Sequence, residues 1–123
     1  MATTQTFQFP HQKLDAWHLS REARRLTLQL LTTLPKGFGD DARQLRRSSG
    51  AVPKLIAEGA NRWAAGDKRR RFEEAEGEIG ETASGLEDLA DLGALDEDDV
   101  ALAVALWARC RATVLGLLRR VQR

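Results

Sequence analysis

Residues 44–59 read Q-L-R-R-S-S-G-A-V-P-K-L-I-A-E-G, and this stretch decides how the rest of the chain is interpreted. Its apolar members recur at helical intervals, yet a proline stands among them at position 53. Pro53 has no backbone N–H, and its ring presses on the carbonyl group four residues earlier. Gly50 bends easily, and the residue before a proline favours extended geometry. We therefore predict a helix that is kinked or broken near Gly50–Val52.

The same helical periodicity extends in both directions from this stretch. It predicts four helices, at Leu14–Leu34, Asp40–Trp63, Lys68–Leu92 and Glu97–Val121. The connections between them are a few residues long and contain proline, glycine and aspartates suited to helix capping. Because short connections join antiparallel neighbours, we predict an all-α, up-down-up-down four-helix bundle over residues 13–123. Residues 1–12 are predicted to be an N-terminal arm, with Phe7 and Phe9 packed on the domain or on a neighbouring copy.

Length and cysteine content limit the class of protein. At 123 residues, the chain is long enough for one domain with its own core. A single cysteine, Cys110, excludes an internal disulfide framework. The chain does not open with a charged segment followed by an apolar one, and no run approaches the roughly 18 apolar residues of a membrane span. We expect a cytoplasmic protein with no membrane partner.

The net charge of +1 conceals a segregation of charge along the chain. Residues 1–72 carry 14 basic and 6 acidic residues (+8), residues 73–99 carry 12 acidic residues and no basic one (−12), and residues 100–123 carry five arginines and no acid (+5). Such segregation is typical of a basic face for a polyanion. The alternative is that basic and acidic helices attract each other, within one bundle or between copies.

Arginines supply the candidate binding residues. Those predicted to contact phosphate groups of a nucleic acid are Arg43, Arg46, Arg47, Arg69, Arg70 and Arg71. The last three belong to the basic tetrad at 68–71, which opens a predicted helix although the helix dipole favours acids there. In the alternative interpretation, Arg46 and Arg47 are structural and hold Glu58 or the acidic face of the third helix.

The predicted third helix is rich in acids and glycines. Its first half carries a cluster of carboxylates at Glu73, Glu74, Glu76, Glu78 and Glu81. Carboxylates without histidine partners indicate a solvated or ion-paired helix face rather than a metal site. Each glycine costs a helix about 1 kcal/mol relative to alanine. We therefore expect another helix to approach closely at Ala75, Gly77 and Gly80.

Catalytic patterns are missing from the sequence. The two histidines, His11 and His18, have no nucleophile or metal-ligand pattern around them, and Cys110 lies on an apolar helix face. Zinc-ligand spacing, phosphate-binding glycine loops and serine nucleophile elbows do not occur. The sequence predicts a protein that is not an enzyme and needs no cofactor or metal.

The fourth predicted helix is apolar over more of its circumference than one bundle core requires. Leu102 and Leu106 extend the apolar surface beyond the face that would pack inward. A helix of this kind buries a second side, most simply against another copy. We predict a homo-oligomer with Leu102 and Leu106 at the subunit interface.

The stretch 44–59 also resembles a family signature that reads Q-x-R-R-A-x-x-S-I-P-S-N-I-A-E-G. The shared positions are Gln44, Arg46, Arg47, Pro53, Ile56, Ala57, Glu58 and Gly59. The departures include Ala51, Val52, Lys54 and Leu55, in place of serine, isoleucine, serine and asparagine. This signature is that of the four-helix-bundle proteins encoded in intervening sequences of bacterial 23S rRNA genes. Accessory proteins of diversity-generating retroelements look like the same family.

The resemblance implies a ring-shaped homopentamer and a partner among nucleic acids, RNA or DNA, with a reverse transcriptase as a further partner. Two functions remain open from the sequence. One is an oligomeric nucleic-acid-binding accessory protein that uses repeated basic patches. The other is a structural assembly or protein-interaction module with no nucleic-acid role. A neighbouring gene for a reverse transcriptase or for an rRNA would show which genetic setting the protein comes from.

Overall fold

A computed structural model describes residues 6–121, so the first five residues of the predicted arm lie outside the described part of the chain. Within residues 6–121 the protein is all-α and contains no strand. The four helices are α1 (Asp15–Leu31), α2 (Gly39–Asn61), α3 (Ala65–Asp91) and α4 (Glu97–Val121), and a short 3₁₀ turn at Pro10–Lys13 precedes α1. The all-α, four-helix prediction is confirmed.

Two helix ends differ from the prediction by three residues. The first helix ends at Leu31 rather than Leu34, and the Thr32 and Thr33 hydroxyls then donate to carbonyl groups of the last turn. The third helix begins at Ala65, three residues before the predicted Lys68. The predicted cap of α4 is present, since Asp96 Oδ2 accepts a hydrogen bond from the Asp99 backbone N–H at 3.0 Å.

The helices pack as a bundle in which α1 and α3 each contact both α2 and α4. Close contacts between α2 and α3 run in reversed order along the two helices. A Cβ at Gly59 would lie 2.5 Å from Phe72, whereas a Cβ at Gly85 would lie 2.8 Å from Leu45. Because a Cβ at either position would force the facing side chain to shift, these two glycines allow the helices to approach closely.

The expected close approach at Ala75, Gly77 and Gly80 is only partly found. Ala75 is fully buried in the core, but a Cβ at Gly77 or Gly80 would meet nothing within 4 Å. Both glycines lie on the outer face of α3. The glycines that do mark helix contact, Gly59 and Gly85, lie elsewhere in the sequence.

Pro53 lies inside a continuous helix. The second helix runs without interruption from Gly39 to Asn61, so the predicted break is wrong, while the predicted kink stays a prediction. Val52 and Pro53 are both buried against the rest of the bundle. Tertiary packing, which supplies most helix stability in proteins, holds this turn helical despite the lost backbone donor.

The interior contains a small set of polar side chains, all of them hydrogen-bonded. In the α2–α3 contact, the hydroxyls of Ser48 and Thr82 lie 2.8 Å apart, and Thr82 also donates to the Glu78 carbonyl. No buried side-chain nitrogen or oxygen among the described residues lacks a partner. These bonds satisfy groups that would otherwise destabilise the core by about 1–3 kcal/mol each.

The arm is tied to the bundle through His11. Its Nδ1 lies 3.0 Å from Asn61 Nδ2 on α2, and its ring packs edge-on to Trp17 on α1 at a centroid distance of 4.7 Å. Partial burial and, to a smaller extent, repulsion from nearby His18 lower the pKa of His11 below 6.5. Phe7 and Phe9 are 42% and 53% exposed. They are not buried in their own domain, and packing on another copy remains a prediction.

The fourth helix is long and apolar enough to span a membrane by length and composition alone. An 18-residue window within it has a mean hydropathy of 1.6, and 33% of that window is buried inside the bundle. The sequence prediction counted uninterrupted apolar residues and did not find this window, because isolated charged residues interrupt the run. Mean hydropathy averages over such residues. Core helices of bundles pass the same test, and Trp107, Cys110 and Val114 are fully buried in the core. The expectation of no membrane partner stays a prediction.

Candidate nucleic-acid interface

Arg47 is engaged in a bridge between helices. Its Nη1 donates to Glu78 Oε2 at 2.8 Å and its Nη2 to Glu81 Oε1 at 2.7 Å, which joins α2 to α3. Hydrogen bonds to the two carboxylates raise the pKa of Arg47. Burial raises the pKa of Glu78, while hydrogen bonds from Glu78 and Arg47 lower that of Glu81. A guanidinium held by two carboxylates is a structural element, as the alternative interpretation of the sequence proposed.

Arg71 is held in a similar way. Its Nε lies 3.5 Å from Glu58 Oε2 on α2, and its Nη1 lies 3.4 Å from Glu74 Oε1 on α3. The sequence suggested Glu58 as a partner of Arg46 or Arg47 on α2, but Glu58 pairs with Arg71. Two of the six predicted phosphate-binding arginines are therefore occupied by pairs of carboxylates.

Lys68, the first residue of the basic tetrad, lies three residues after the start of α3 and contacts the end of α2. Its Nζ donates to the carbonyl groups of Gly59 (3.1 Å) and Ala60 (3.0 Å) in the last turn of α2. The carboxyl end of a helix carries partial negative charge and unsatisfied carbonyls, so a cation beside it is stabilising. The start of α3 lies beside that end, and the apparent conflict with the α3 dipole is resolved by the neighbouring helix.

The remaining four predicted arginines are more available to a ligand. Arg43 pairs with Asp40 at 2.6 Å, but both side chains are largely exposed, and Arg69 reaches Glu73 only at 4.0 Å. Exposed pairs of this kind are worth about 0–1 kcal/mol and release easily. Arg46 and Arg70 have no carboxylate partner within residues 6–121.

The structure does not bring these four arginines together. Gly59 packs on Phe72, so Arg69 and Arg70 lie level with the last turn of α2. Arg43 and Arg46 lie in its first half, about 20 Å away at 1.5 Å per residue. The predicted set is therefore two separate groups rather than one patch.

A basic surface on α1 and α2 combines the predicted Arg46 with cations that were not among the predicted site residues. Arg24 lies across α2 at Gly50, where an added Cβ would be 3.4 Å from its Nη2. Arg21 lies over the ring of Trp17 at 4.5 Å. Arg46 stands one helical turn before Gly50 on the same side of α2.

These cations and Lys54 are exposed, and none has a carboxylate partner in the described part of the chain. We call Arg21, Arg24, Arg46 and Lys54 the α1–α2 basic surface. The signal in the sequence was the spacing of basic residues along the first helix, where three and four residues separate members of one face.

An open groove of about 800 Å³ runs along the outer face of α2. Arg21, Arg24 and Trp17 of α1 line one wall, and Glu74 and Glu78 of α3 line the other. The groove therefore has a basic side and an acidic side. Anionic groups are favoured only on the α1 side, which coincides with the α1–α2 basic surface.

The two leucines predicted for the subunit interface differ in their surroundings. Leu102 is 68% exposed. Leu106 is half-buried and packs against the core. Leu102 is the stronger candidate for a contact with another copy, whereas Leu106 already contributes to its own bundle.

The described residues offer little for catalysis. Burial raises the pKa of Cys110 to about 12, so its thiolate is strongly disfavoured. No group of three or more His, Cys, Asp and Glu residues between positions 6 and 121 is arranged to hold a metal ion.

Comparison with known proteins places this bundle in a family. No curated protein matches the chain. The family model described as 23S rRNA-intervening sequence protein matches residues 12–113, which include α1, α2, α3 and most of α4. That match covers well over half of the 123 residues and contains the signature stretch 44–59. The chain belongs to the 23S rRNA-intervening sequence protein family.

Proposed function

We propose that this protein is a non-enzymatic, oligomeric accessory protein that binds the phosphate backbone of nucleic acid. The observation that carries the proposal is the α1–α2 basic surface, whose four cations lack carboxylate partners among the described residues. Lys and Arg side chains that contact phosphates displace counterions and give affinity that tolerates sequence changes. The proposal revises the predicted site, since Arg47 and Arg71 take structural roles.

Internal pairing of the acidic helix supports this assignment. Much of the α3 charge is directed at arginines of the same chain, as in the Arg47 bridge and in the pair between Arg111 Nη2 and Glu76 Oε1 at 3.2 Å. The acids therefore repel a polyanion less than their number suggests, and they lie across the groove from the basic wall.

We further propose an antiparallel up-down-up-down bundle that assembles into a ring, as the family resemblance implies. The reversed order of contacts along α2 and α3 supports the antiparallel arrangement. The 68% exposure of Leu102 and the apolar window of α4, one-third buried, support self-association. A ring multiplies the basic surface, and several weak phosphate sites on one particle bind a long polyanion with high avidity.

The competing function is an assembly or protein-interaction module with no nucleic-acid role. The ion pairs of Arg47 and Arg71 favour it, because they engage two of the six predicted phosphate-binding arginines with carboxylates of the same chain. Under this alternative, the cations of the α1–α2 basic surface serve only solubility.

Binding of labelled generic RNA and DNA, measured by fluorescence anisotropy from about 50 mM salt upwards, tests the proposal. We expect affinity that falls steeply with salt. Arg24→Gln should lower the slope of log affinity against log salt by about 0.7–0.9. Arg109→Gln is the matched control, since Arg109 is an exposed α4 arginine that lines a different cleft, with His18 and Glu22 of α1, and its slope should equal that of the parent. An intact oligomer that binds neither nucleic acid at about 50 mM salt contradicts the proposal.

A further inference from the structure

Trp63 is 99% exposed, which is unusual for the largest apolar side chain. It lies in the connection between α2 and α3, immediately after Arg62. The other two tryptophans behave differently, because Trp107 is fully buried and Trp17 is half-buried beneath Arg21. Packing within the bundle therefore does not account for a tryptophan at position 63.

The connection that carries Trp63 is anchored on both sides. Lys68 Nζ donates to the Gly59 and Ala60 carbonyls, and Arg71 bridges Glu58 on α2. The indole is thus presented from a fixed turn rather than from a long loop. A fixed backbone reduces the conformational freedom that is lost when a flat ligand stacks on the indole.

Three arginines, Arg62, Arg69 and Arg70, lie near this tryptophan in the sequence. Arg62 and Arg70 have no carboxylate partner in the part of the chain that the structure describes, and Arg69 reaches Glu73 only at 4.0 Å. The two large exposed leucines differ in this respect: Leu92 follows Asp91 directly, and Leu102 lies one turn after the acids that open α4. Of Trp63, Leu92 and Leu102, Trp63 is the exposed apolar side chain whose sequence neighbours are cations without a carboxylate partner in the described part of the chain.

We infer that Trp63 is a base-stacking residue for single-stranded nucleic acid, with Arg62 and Arg70 contacting the flanking phosphates. This inference rests on the proposed function. An aromatic face and nearby cations are the two elements that single-strand binding requires, since every base has a π-face and every linkage a phosphate. In a duplex the bases already stack on each other, so Trp63 has no ligand there and only the arginines contribute.

The chemistry of the turn favours this ligand over a lipid surface. A membrane-binding loop needs several large apolar side chains, whereas Trp63 is followed by Ala64, Ala65 and Gly66. RNA and DNA share the stacking chemistry, and parallel titrations with each distinguish the two.

The test compares Trp63→Ala and Trp63→Phe with the parent, using short single-stranded oligonucleotides and a duplex of matched length. We expect Trp63→Ala to weaken single-strand binding by about 5- to 100-fold and to leave duplex binding unchanged. Trp63→Phe should restore most of the affinity, because it keeps an aromatic face. The salt slope should stay that of the parent in both variants, since neither loses a charge. Leu92→Ala, an exposed apolar residue at the opposite end of α3, is the control and should bind as the parent does.

Each negative result of this experiment has its own interpretation. A parent that binds no nucleic acid overturns the proposed function and this inference with it. A parent that binds through the α1–α2 basic surface, with Trp63→Ala unchanged on single strands, overturns the inference alone. The inference is also overturned if Trp63→Ala lowers the mass of the oligomer, which would make Trp63 a subunit contact. It fails equally if the part of the tryptophan fluorescence that Trp63→Phe loses responds to anionic lipid vesicles and not to single strands.

Discussion

The indole Nε1 of Trp107 donates a hydrogen bond to the hydroxyl of Thr27 over 2.9 Å, and this bond links α4 to α1 in the middle of the core. Both residues are fully buried. Thr27 in turn donates to the Ala23 carbonyl at 2.8 Å, so neither polar group is left unsatisfied. A large aromatic side chain is thereby fixed in one orientation between the two helices.

Replacing Thr27 by valine keeps the shape of the side chain and removes the acceptor for the indole. We expect Thr27→Val to lower the free energy of unfolding by about 1–3 kcal/mol, the cost of leaving a buried donor without a partner. Denaturant unfolding followed by circular dichroism measures it. Thr113→Val is the control, because the Thr113 hydroxyl is half-buried and bonds only its own helix. A Thr27→Val variant as stable as the parent would show that the bond contributes nothing.

Periodicity was enough to predict four helices, but it could not identify this core. Thr27, Ser48 and Thr82 are polar, so a search for apolar stripes passes over them, although each is almost completely buried. Their burial depends on partners from other helices, and single-sequence patterns do not contain those pairings. Whether α2 is kinked or broken at Pro53 stayed open for the same reason, since packing stabilises a turn that local propensity disfavours.

The candidate site was predictable only in outline. Sequence identifies which residues are cationic, but the carboxylates that neutralise Arg47 lie 31 and 34 residues away, across a helix contact. The exposure of Trp63 was equally hidden, because tryptophan at the end of a helical pattern usually packs inward. Long-range pairing, rather than local pattern, decides which charged and aromatic side chains remain available to a ligand.

Leu102 and Leu106 should respond differently to a charge, although the sequence suggested the same role for both. Leu102→Asp places a carboxylate on an exposed position, so we expect the oligomer to dissociate to the 13.7 kDa protomer with its helicity retained. Light scattering and far-ultraviolet circular dichroism measure the two quantities. Leu106→Asp should unfold the bundle, because Leu106 packs on the core.

Leu92→Asp serves as the control for charge on an exposed leucine, and its mass should match the parent's. A parent protein that is already a 13.7 kDa monomer at micromolar concentration would contradict the self-association of α4.

Cys110 should make stability depend on pH in the alkaline range. Burial raises the pKa of its thiol from 9.0 to about 12. The neutral thiol is therefore favoured in the folded state, and the stabilisation is complete below pH 9 and lost as pH rises towards 12. The free energy of unfolding should fall by about 1.4 kcal/mol per pH unit from this group alone.

Cys110→Ala isolates that contribution, because lysines and other groups titrate equally in both proteins. We expect the variant to lose less stability than the parent between pH 9 and 11. Parallel curves for the two proteins would mean that the thiol ionises as easily in the folded state as in the unfolded one.

The most direct test of the account compares two adjacent arginines of the signature stretch. Arg46 has no carboxylate partner among residues 6–121, whereas Arg47 is held by Glu78 and Glu81 at 2.8 Å and 2.7 Å. The measurement is the salt dependence of RNA binding, with the melting temperature of each variant alongside it. We expect Arg46→Gln to lower the salt slope by about 0.7–0.9 and leave the melting temperature unchanged. Arg47→Gln should lower the melting temperature and leave the salt slope unchanged. Equal salt slopes for the parent and both variants would contradict the claim that the unpaired cations of α1 and α2 bind phosphate.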